Sequence, residues 1–192
     1  MKHYITLENY LGSKLKAKEL FVYAIMKSST NELNMTDITI EQISQWSNIP
    51  VKTIERSILP ELKKSSVFTL DSYWSNGKKR NSYTFPKPIE NFRKIDKEFL
   101  SKNNLSPSQK GFMIALYMQA FNNSLLCGLS YNEIIKRLNL SNKTFYKYLK
   151  ELLDLGYIIL IDPNKPNFED LIYELDISGY EYTNSSLYLK IF

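Results

Sequence analysis

Apolar and polar positions follow a helical period along much of this chain, and the pattern of its first half is written again in its second. Leu15, Ala17, Leu20, Phe21, Ala24 and Ile25 fall at three- and four-residue spacing with lysines between them, which predicts a core-supporting helix over residues 14–28. A polar connection covers residues 31–37, with Ile38 a short strand position. A hydroxyl at Thr39, Gln42 three residues later, and Ile40, Ile43 and Trp46 on one face predict a capped helix ending near Ser47. Asn48-Ile49-Pro50 predicts a tight turn, with Pro50 at the cap or first turn of a second helix over residues 51–62. Ile54, Ile58 and Leu62 are its inward face. Pro60 lies inside that helix, where proline removes a hydrogen bond and clashes with the carbonyl four residues back, so a kink or break is expected near Leu59. Residues 67–73 and 81–85 are β-prone and aromatic, separated by residues 74–80 with Asn76-Gly77 among them, a strong hairpin signal.

Residues 39–67 return without a gap as residues 130–158, at an offset of 91. Ile43 falls on Ile134, Asn48 on Asn139, Ile49 on Leu140, Lys52 on Lys143, Thr53 on Thr144, Arg56 on Lys147 and Leu62 on Leu153. Upstream, Phe21, Ala24 and Ile25 fall on Phe112, Ala115 and Leu116. So long a period points to a duplicated domain and not to a stacked solenoid. The second copy predicts helices over residues 108–122, 130–138 and 142–155, the last capped by Ser141 and stopped by Gly156. Strands over 157–161 and 171–177 are expected to form a second hairpin with residues 162–167 at its tip. Between the copies, Phe92, Ile95, Phe99 and Leu100 have the spacing of an amphipathic helix. The expected organisation is therefore a first domain over 1–88, a linker helix over 89–105 that packs the domains together, and a second domain over 106–192. The expected fold class is mainly α with small β-hairpins, an α+β protein.

Charge divides unevenly between the copies. The net +5 is the sum of a basic first half and a nearly balanced second half: residues 1–95 hold 15 Lys and Arg against 9 Asp and Glu, and residues 96–192 hold 10 against 11. That asymmetry points to a polyanionic partner, with nucleic acid the leading candidate. The chain opens without a secretory signal pattern, and its apolar runs are too short to span a bilayer, so a cytoplasmic location and no membrane partner are expected. The single Cys127 permits no internal disulfide and no structural zinc site, and His3 is the only histidine. No phosphate-binding or dinucleotide loop is present. No catalytic residue, metal or cofactor is expected, and the protein reads as a non-enzyme.

A helix, a helix-turn-helix and a β-hairpin, occurring twice, resemble the winged-helix fold of prokaryotic DNA-binding proteins. The tandem arrangement resembles the replication initiators of plasmids and phages, and small transcription regulators. What the resemblance implies is a double-stranded DNA partner, with the second helix of each turn motif in the major groove and the hairpin, or wing, toward the backbone or minor groove. On the first helix, Lys52, Thr53, Glu55 and Arg56 lie off the apolar face, with Lys63 and Lys64 at its end. Arg56 is the expected base reader. On the first wing, Asn76, Lys78, Lys79 and Arg80 form the strongest electrostatic signal in the chain. The corresponding residues of the second copy are Asn142, Lys143, Thr144, Tyr146, Lys147 and Lys150, with Lys165 on its wing beside Glu169 and Asp170.

The expected function is sequence-specific regulation of transcription or replication on a mobile element. Origin binding by a replication initiator is an alternative. Another is a protein-docking module without specific DNA reading. Beside double-stranded DNA, the further partners expected are a second copy of the chain or the replication or transcription machinery. Tyr73, Trp74 and Tyr83 suggest stacking of single-stranded bases as a secondary role, although aromatics flanking a hairpin more often pack on the core.

Overall fold

The computed structural model describes residues 3–102, 104–121, 124–176, 179–183 and 185–191. The first half begins with β1 (Tyr4–Glu8), α1 (Leu11–Lys14) and α2 (Ala17–Ser28). Next come β2 (Met35–Thr36), α3 (Ile40–Ser47), α4 (Val51–Thr53), a π-helical turn (Ile54–Ile58) and α5 (Leu59–Lys64). It ends in a hairpin of β3 (Thr69–Ser75) and β4 (Lys78–Thr84). After β5 (Phe92–Asp96) and α6 (Lys97–Ser101), the second half runs α7 (Pro107–Gln119), β6 (Leu126–Cys127), α8 (Tyr131–Arg137) and α9 (Asn142–Asp154). It continues with β7 (Ile158–Ile161), α10 (Phe168–Glu174) and β8 (Ser186–Leu189). The fold is mixed, with helices and small antiparallel sheets, as an α+β protein should be.

Each half has a three-stranded antiparallel sheet of like order, β2-β4-β3 in the first and β6-β8-β7 in the second. Element starts recur at the sequence offset: Met35 and Leu126 open the short strands, Ile40 and Tyr131 the first helices of the turn motifs, Val51 and Asn142 the second. Local chemistry explains these starts. Thr39 and Ser130 each accept a hydrogen bond from the backbone N–H three residues on, and Gln42 and Glu133 each accept one from the cap's backbone N–H, closing reciprocal caps.

The core is centred on α2 and α7, which pack against each other and are buried nearly all round. Phe21, Tyr23, Phe112 and Met113 lie within one continuous apolar cluster that also takes in Ile54 and Leu62 of the first half and Phe145 and Leu152 of the second. Phe112 meets Phe145 edge-on at 6.0 Å, seating α9, while Tyr23 meets Phe85 at 5.1 Å just beyond the first hairpin. Gly111 lies at the closest approach of the helices, where an added Cβ would stand 1.7 Å from the Ala17 carbonyl oxygen.

The structure revises several sequence expectations. Residues 89–105 are not one helix: Phe92–Asp96 is a strand paired antiparallel with β1, and only Lys97–Ser101 is helical. Arg93 and Ile95 are buried while Phe92 and Lys94 are exposed, so the alternation of a strand prevails over the helical spacing read from sequence. Arg93 fixes this segment to the second half by donating to the carbonyls of Ala120 and Phe121, with its guanidinium 5.3 Å from the Tyr117 ring centre. β1 and α1 precede the first long helix, which starts at Ala17 and not at residue 14. The second hairpin differs as well. β7 pairs with Ser186–Leu189, whereas Leu171 and its neighbours form α10, inserted between the two strands. Leu171 packs with Phe168, Ile172 and Leu175 around Ile161, which favours a helix over the expected strand. Residues 122 and 177, where an expected helix and an expected strand end, lie outside the described residues. Of the face that Ile40, Ile43 and Trp46 share on α3, Ile43 is buried and Trp46 is 46% exposed.

Pro60 does not break its helix. The backbone N–H of Leu59 reaches five residues back to the Ile54 carbonyl, and the chain stays helical through Ile58 and Leu59. The wider turn lies just ahead of the proline, and residues 51–64 stay helical without interruption, as one continuous rod.

Candidate nucleic-acid interface

The first candidate surface is built on that rod. Asn48 turns the chain out of α3 in the left-handed region, φ 54°, and the Ser44 hydroxyl holds the turn by donating to the Ile49 carbonyl at 2.7 Å. Pro50 caps the next helix, its carbonyl accepting from Thr53 and Ile54. Ile54, Ile58 and Leu62 point into the core, so Lys52, Glu55, Arg56 and Ser57 face water and Thr53 is half-buried. The π-helical turn presents Glu55, Arg56 and Ser57 consecutively on the open side. Lys63 and Lys64 are exposed in the last turn, where cations also favour the helix dipole.

The first wing is a tighter hairpin than the sequence suggested. Asn76 and Gly77, at φ 51° and 70°, make a two-residue turn with the positive dihedrals that match strand twist. The strands therefore run to the turn, pairing Ser75 with Lys78, Trp74 with Lys79 and Tyr73 with Arg80. Lys78, Lys79 and Arg80 stand on β4 and not in a loop. All three are exposed, and among the described residues none is in an ion pair. The hairpin is held to the body by Tyr73, whose hydroxyl donates to the Asp37 carboxylate at 2.7 Å, and across itself by Ser72 and Asn81 at 2.9 Å. The hydrogen bonds from Tyr73 and then Ser82, with the charge of Arg80, hold Asp37 below the usual carboxylate range. A groove between β4 and the start of α3 is lined by Thr39, Glu41, Lys79 and Asn81.

The second candidate helix, α9, begins at Ser141, whose hydroxyl oxygen accepts from the Thr144 backbone N–H at 3.1 Å. Phe145, Leu149 and Leu152 are buried, leaving Asn142, Lys143, Tyr146, Lys147 and Lys150 exposed along one side. Thr144 is half-buried, and its hydroxyl is 2.8 Å from that of Ser141, which makes it part of the cap. Lys147 lies 4.0 Å from Glu151, which also accepts from the Gln109 side chain at 2.9 Å. Gly156, at φ 72°, ends the helix: its N–H reaches the Leu153 carbonyl and that of Tyr157 reaches Leu152. Lys165 is exposed in the turn leading to α10 and not at the tip of a two-stranded wing. The insertion around it carries Asp162, Glu169, Asp170, Glu174 and Asp176.

β6, the capped α8, the left-handed turn at Asn139 and α9 give the second half the order of a DNA-reading motif. Residues 127–159 match the winged helix-turn-helix DNA-binding family. That stretch begins at the end of β6 and closes in β7, so it contains α8, the turn and all of α9. The match supports a DNA-binding role. No curated protein and no solved structure matches the chain. Among the described residues no group of three or more His, Cys, Asp and Glu is placed to hold a metal, and no helix is long and apolar enough to cross a membrane.

Sequence reasoning assigned the exposed cations of both helices and the first wing but gave Trp74 little weight. The signal that finds it is strand parity: counting back from buried Tyr83 through its partner Leu70 places Trp74 on the same face, two steps beyond the core.

Proposed function

We propose that the chain is a non-catalytic, sequence-reading double-stranded DNA-binding protein built from two winged-helix units. The observation that carries this reading is that each half presents, after a capped helix and a left-handed asparagine turn, a second helix whose cations stand on the open side. The family match to residues 127–159 supports one of these units directly. A helix of this kind fits the major groove, where Arg56 on the first rod and Lys143 and Lys147 on α9 reach base edges or phosphates. The basic wing neutralises the neighbouring backbone.

Sequence resemblance to plasmid and phage initiators and to small regulators extends the proposal to control of transcription or replication on a mobile element. The absence of an embedded wing cation cluster in the second half favours a second reading for that half alone. The acidic insertion around α10 repels phosphate and suits a protein contact.

Selection of bound duplexes from a random double-stranded pool at physiological salt tests the proposal. An enriched motif supports sequence reading, and its half-sites show whether one helix or two take part. Retention without enrichment overturns sequence reading and leaves backbone binding; no retention overturns the DNA role.

A further inference from the structure

We propose that Trp74 is a nucleobase-contacting wedge, which the first wing presses against a base step of the duplex gripped by Lys78, Lys79 and Arg80. This rests on the duplex-binding reading and adds to it a specific apolar contact on the bases.

The hairpin has two faces. Residues directly opposite in an antiparallel pair share a face. Leu70 with Tyr83, Ser72 with Asn81 and Trp74 with Lys79 therefore form one row. At its base the row is core, with Tyr83 only 2% exposed. Two steps outward the sheet has passed the edge of the core, and Trp74 is 76% exposed. An aromatic side chain this large represents much apolar surface that the folded chain leaves in water. It is also held in place. The two-residue turn beyond it sets the register, and the hydrogen bonds of Tyr73 to Asp37 and of Ser72 to Asn81 brace the strand immediately before it.

Charge identifies the occupant. Three cations without ion-pair partners among the described residues follow the turn immediately, Lys79 directly across from the indole. An apolar protein groove would leave these charges stranded. DNA offers phosphates for the cations and π-faces for the ring within a few ångströms of each other. Apolar side chains inserted between base steps from the minor groove partially unstack and kink the duplex, most cheaply at flexible pyrimidine–purine steps. The same half carries a helix suited to the major groove, so duplex DNA is the form that serves both elements.

The test uses the full chain with Trp46→Phe, which leaves Trp74 as the one indole. A fluorescein-labelled duplex of about 30 base pairs containing TA steps is titrated, following label anisotropy and indole emission together. Quenching of the indole in step with anisotropy is expected. Trp74→Ala should weaken binding at least about fivefold, the scale of one lost base–aromatic stack. It should leave the dependence of log K on log salt unchanged, and Trp74→Phe should restore most of the affinity. An unchanged urea midpoint for Trp74→Ala shows that folding is intact.

Full affinity in Trp74→Ala, or binding without quenching, overturns the wedge while the DNA reading stands. Tighter, Trp74-dependent binding to the single strand of the same sequence also overturns it. So does sedimentation showing a dimer without DNA that Trp74→Ala dissociates. If no variant binds the duplex at all, both readings fall.

Discussion

Asn48 and Asn139, which the sequence offset places in register, adopt the same left-handed conformation, φ 54° and 49°, at the corner of each turn motif. Left-handed backbone disfavours a Cβ followed by an ordinary side chain, and asparagine is among the residues that tolerate it. Replacing either by alanine should destabilise the protein by about 1 kcal/mol, while glycine at the same position should preserve stability. Urea unfolding of the four single variants checks this. Equal losses for alanine and glycine would show that the asparagine side chain, and not the backbone, holds the turn.

Gly111 should tolerate substitution far less well. Its absent Cβ is what lets α7 approach α2, since an added atom would lie 1.7 Å from the Ala17 carbonyl oxygen. Gly111→Ala must push the helices apart through the middle of the shared core, with an expected loss of about 3 kcal/mol. Gly77→Ala is the matched control. Nothing lies within 4 Å of its position, and only its φ of 70° resists the change, so about 1 kcal/mol is expected. Comparable losses at the two sites would remove the close helix crossing as the cause.

Lys110 makes stability rise with pH on the alkaline side. Its ammonium donates to the Leu100 carbonyl at 2.7 Å and stands 5.0 Å from the Phe21 ring centre, and burial lowers its pKa from 10.5 to about 8. Between those values the unfolded chain binds more protons than the folded one, so stability should increase from about pH 8 upward. Burial also raises the Cys127 thiol from 9.0 to about 11 and raises the Tyr23 phenol, and both act in the opposite sense, from about pH 9 and about pH 10 upward, where their unfolded forms ionise first. The useful window is therefore about pH 8 to 9. Urea midpoints should climb through it in the native chain and climb much less in Lys110→Met. Lys27, lowered by its own burial, preserves part of the rise.

Much of this architecture was legible because it rests on local chemistry. Thr39 with Gln42 and Ser130 with Glu133 announce their caps in four residues, and Asn76-Gly77 announces its turn in two. What escaped depends on partners far away in sequence. Phe92 to Asp96 form a strand because β1, some 90 residues earlier, supplies the ladder. Leu171 lies in a helix because Ile161 and its neighbours supply an apolar cradle, with β8 filling the position a hairpin would have given it. Pro60 is an obstacle to a regular helix, yet no break follows near Leu59, because one turn of helix ahead of it is widened. The candidate surface was legible as residue types and not as geometry. Lys78, Lys79 and Arg80 were visible as a charge run, yet only strand register shows that Lys79 lies opposite Trp74 and Arg80 opposite Tyr73.

Rod and wing divide the labour of binding. Lys78, Lys79 and Arg80 are exposed on a strand and free of ion pairs among the described residues, so each can displace a counterion from a phosphate. Their joint replacement by alanine should weaken binding to every duplex alike and reduce the slope of log K against log salt by about 3. Arg56 is placed differently, on the open side of a rod whose opposite face is locked in the core by Ile54 and Ile58. Arg56→Ala should cost about 1 to 3 kcal/mol at one base position and reduce the salt slope by no more than about 1. Fluorescence anisotropy on the selected duplex and its single-base variants, repeated across salt concentrations, measures both effects. The wing variant should leave the ranking of base variants intact, and Arg56→Ala should flatten it at one position. If the wing variant changes the ranking, base reading extends to the hairpin. If Arg56→Ala lowers all affinities equally, Arg56 contacts only the backbone and sequence recognition must come from α9 or from Trp74.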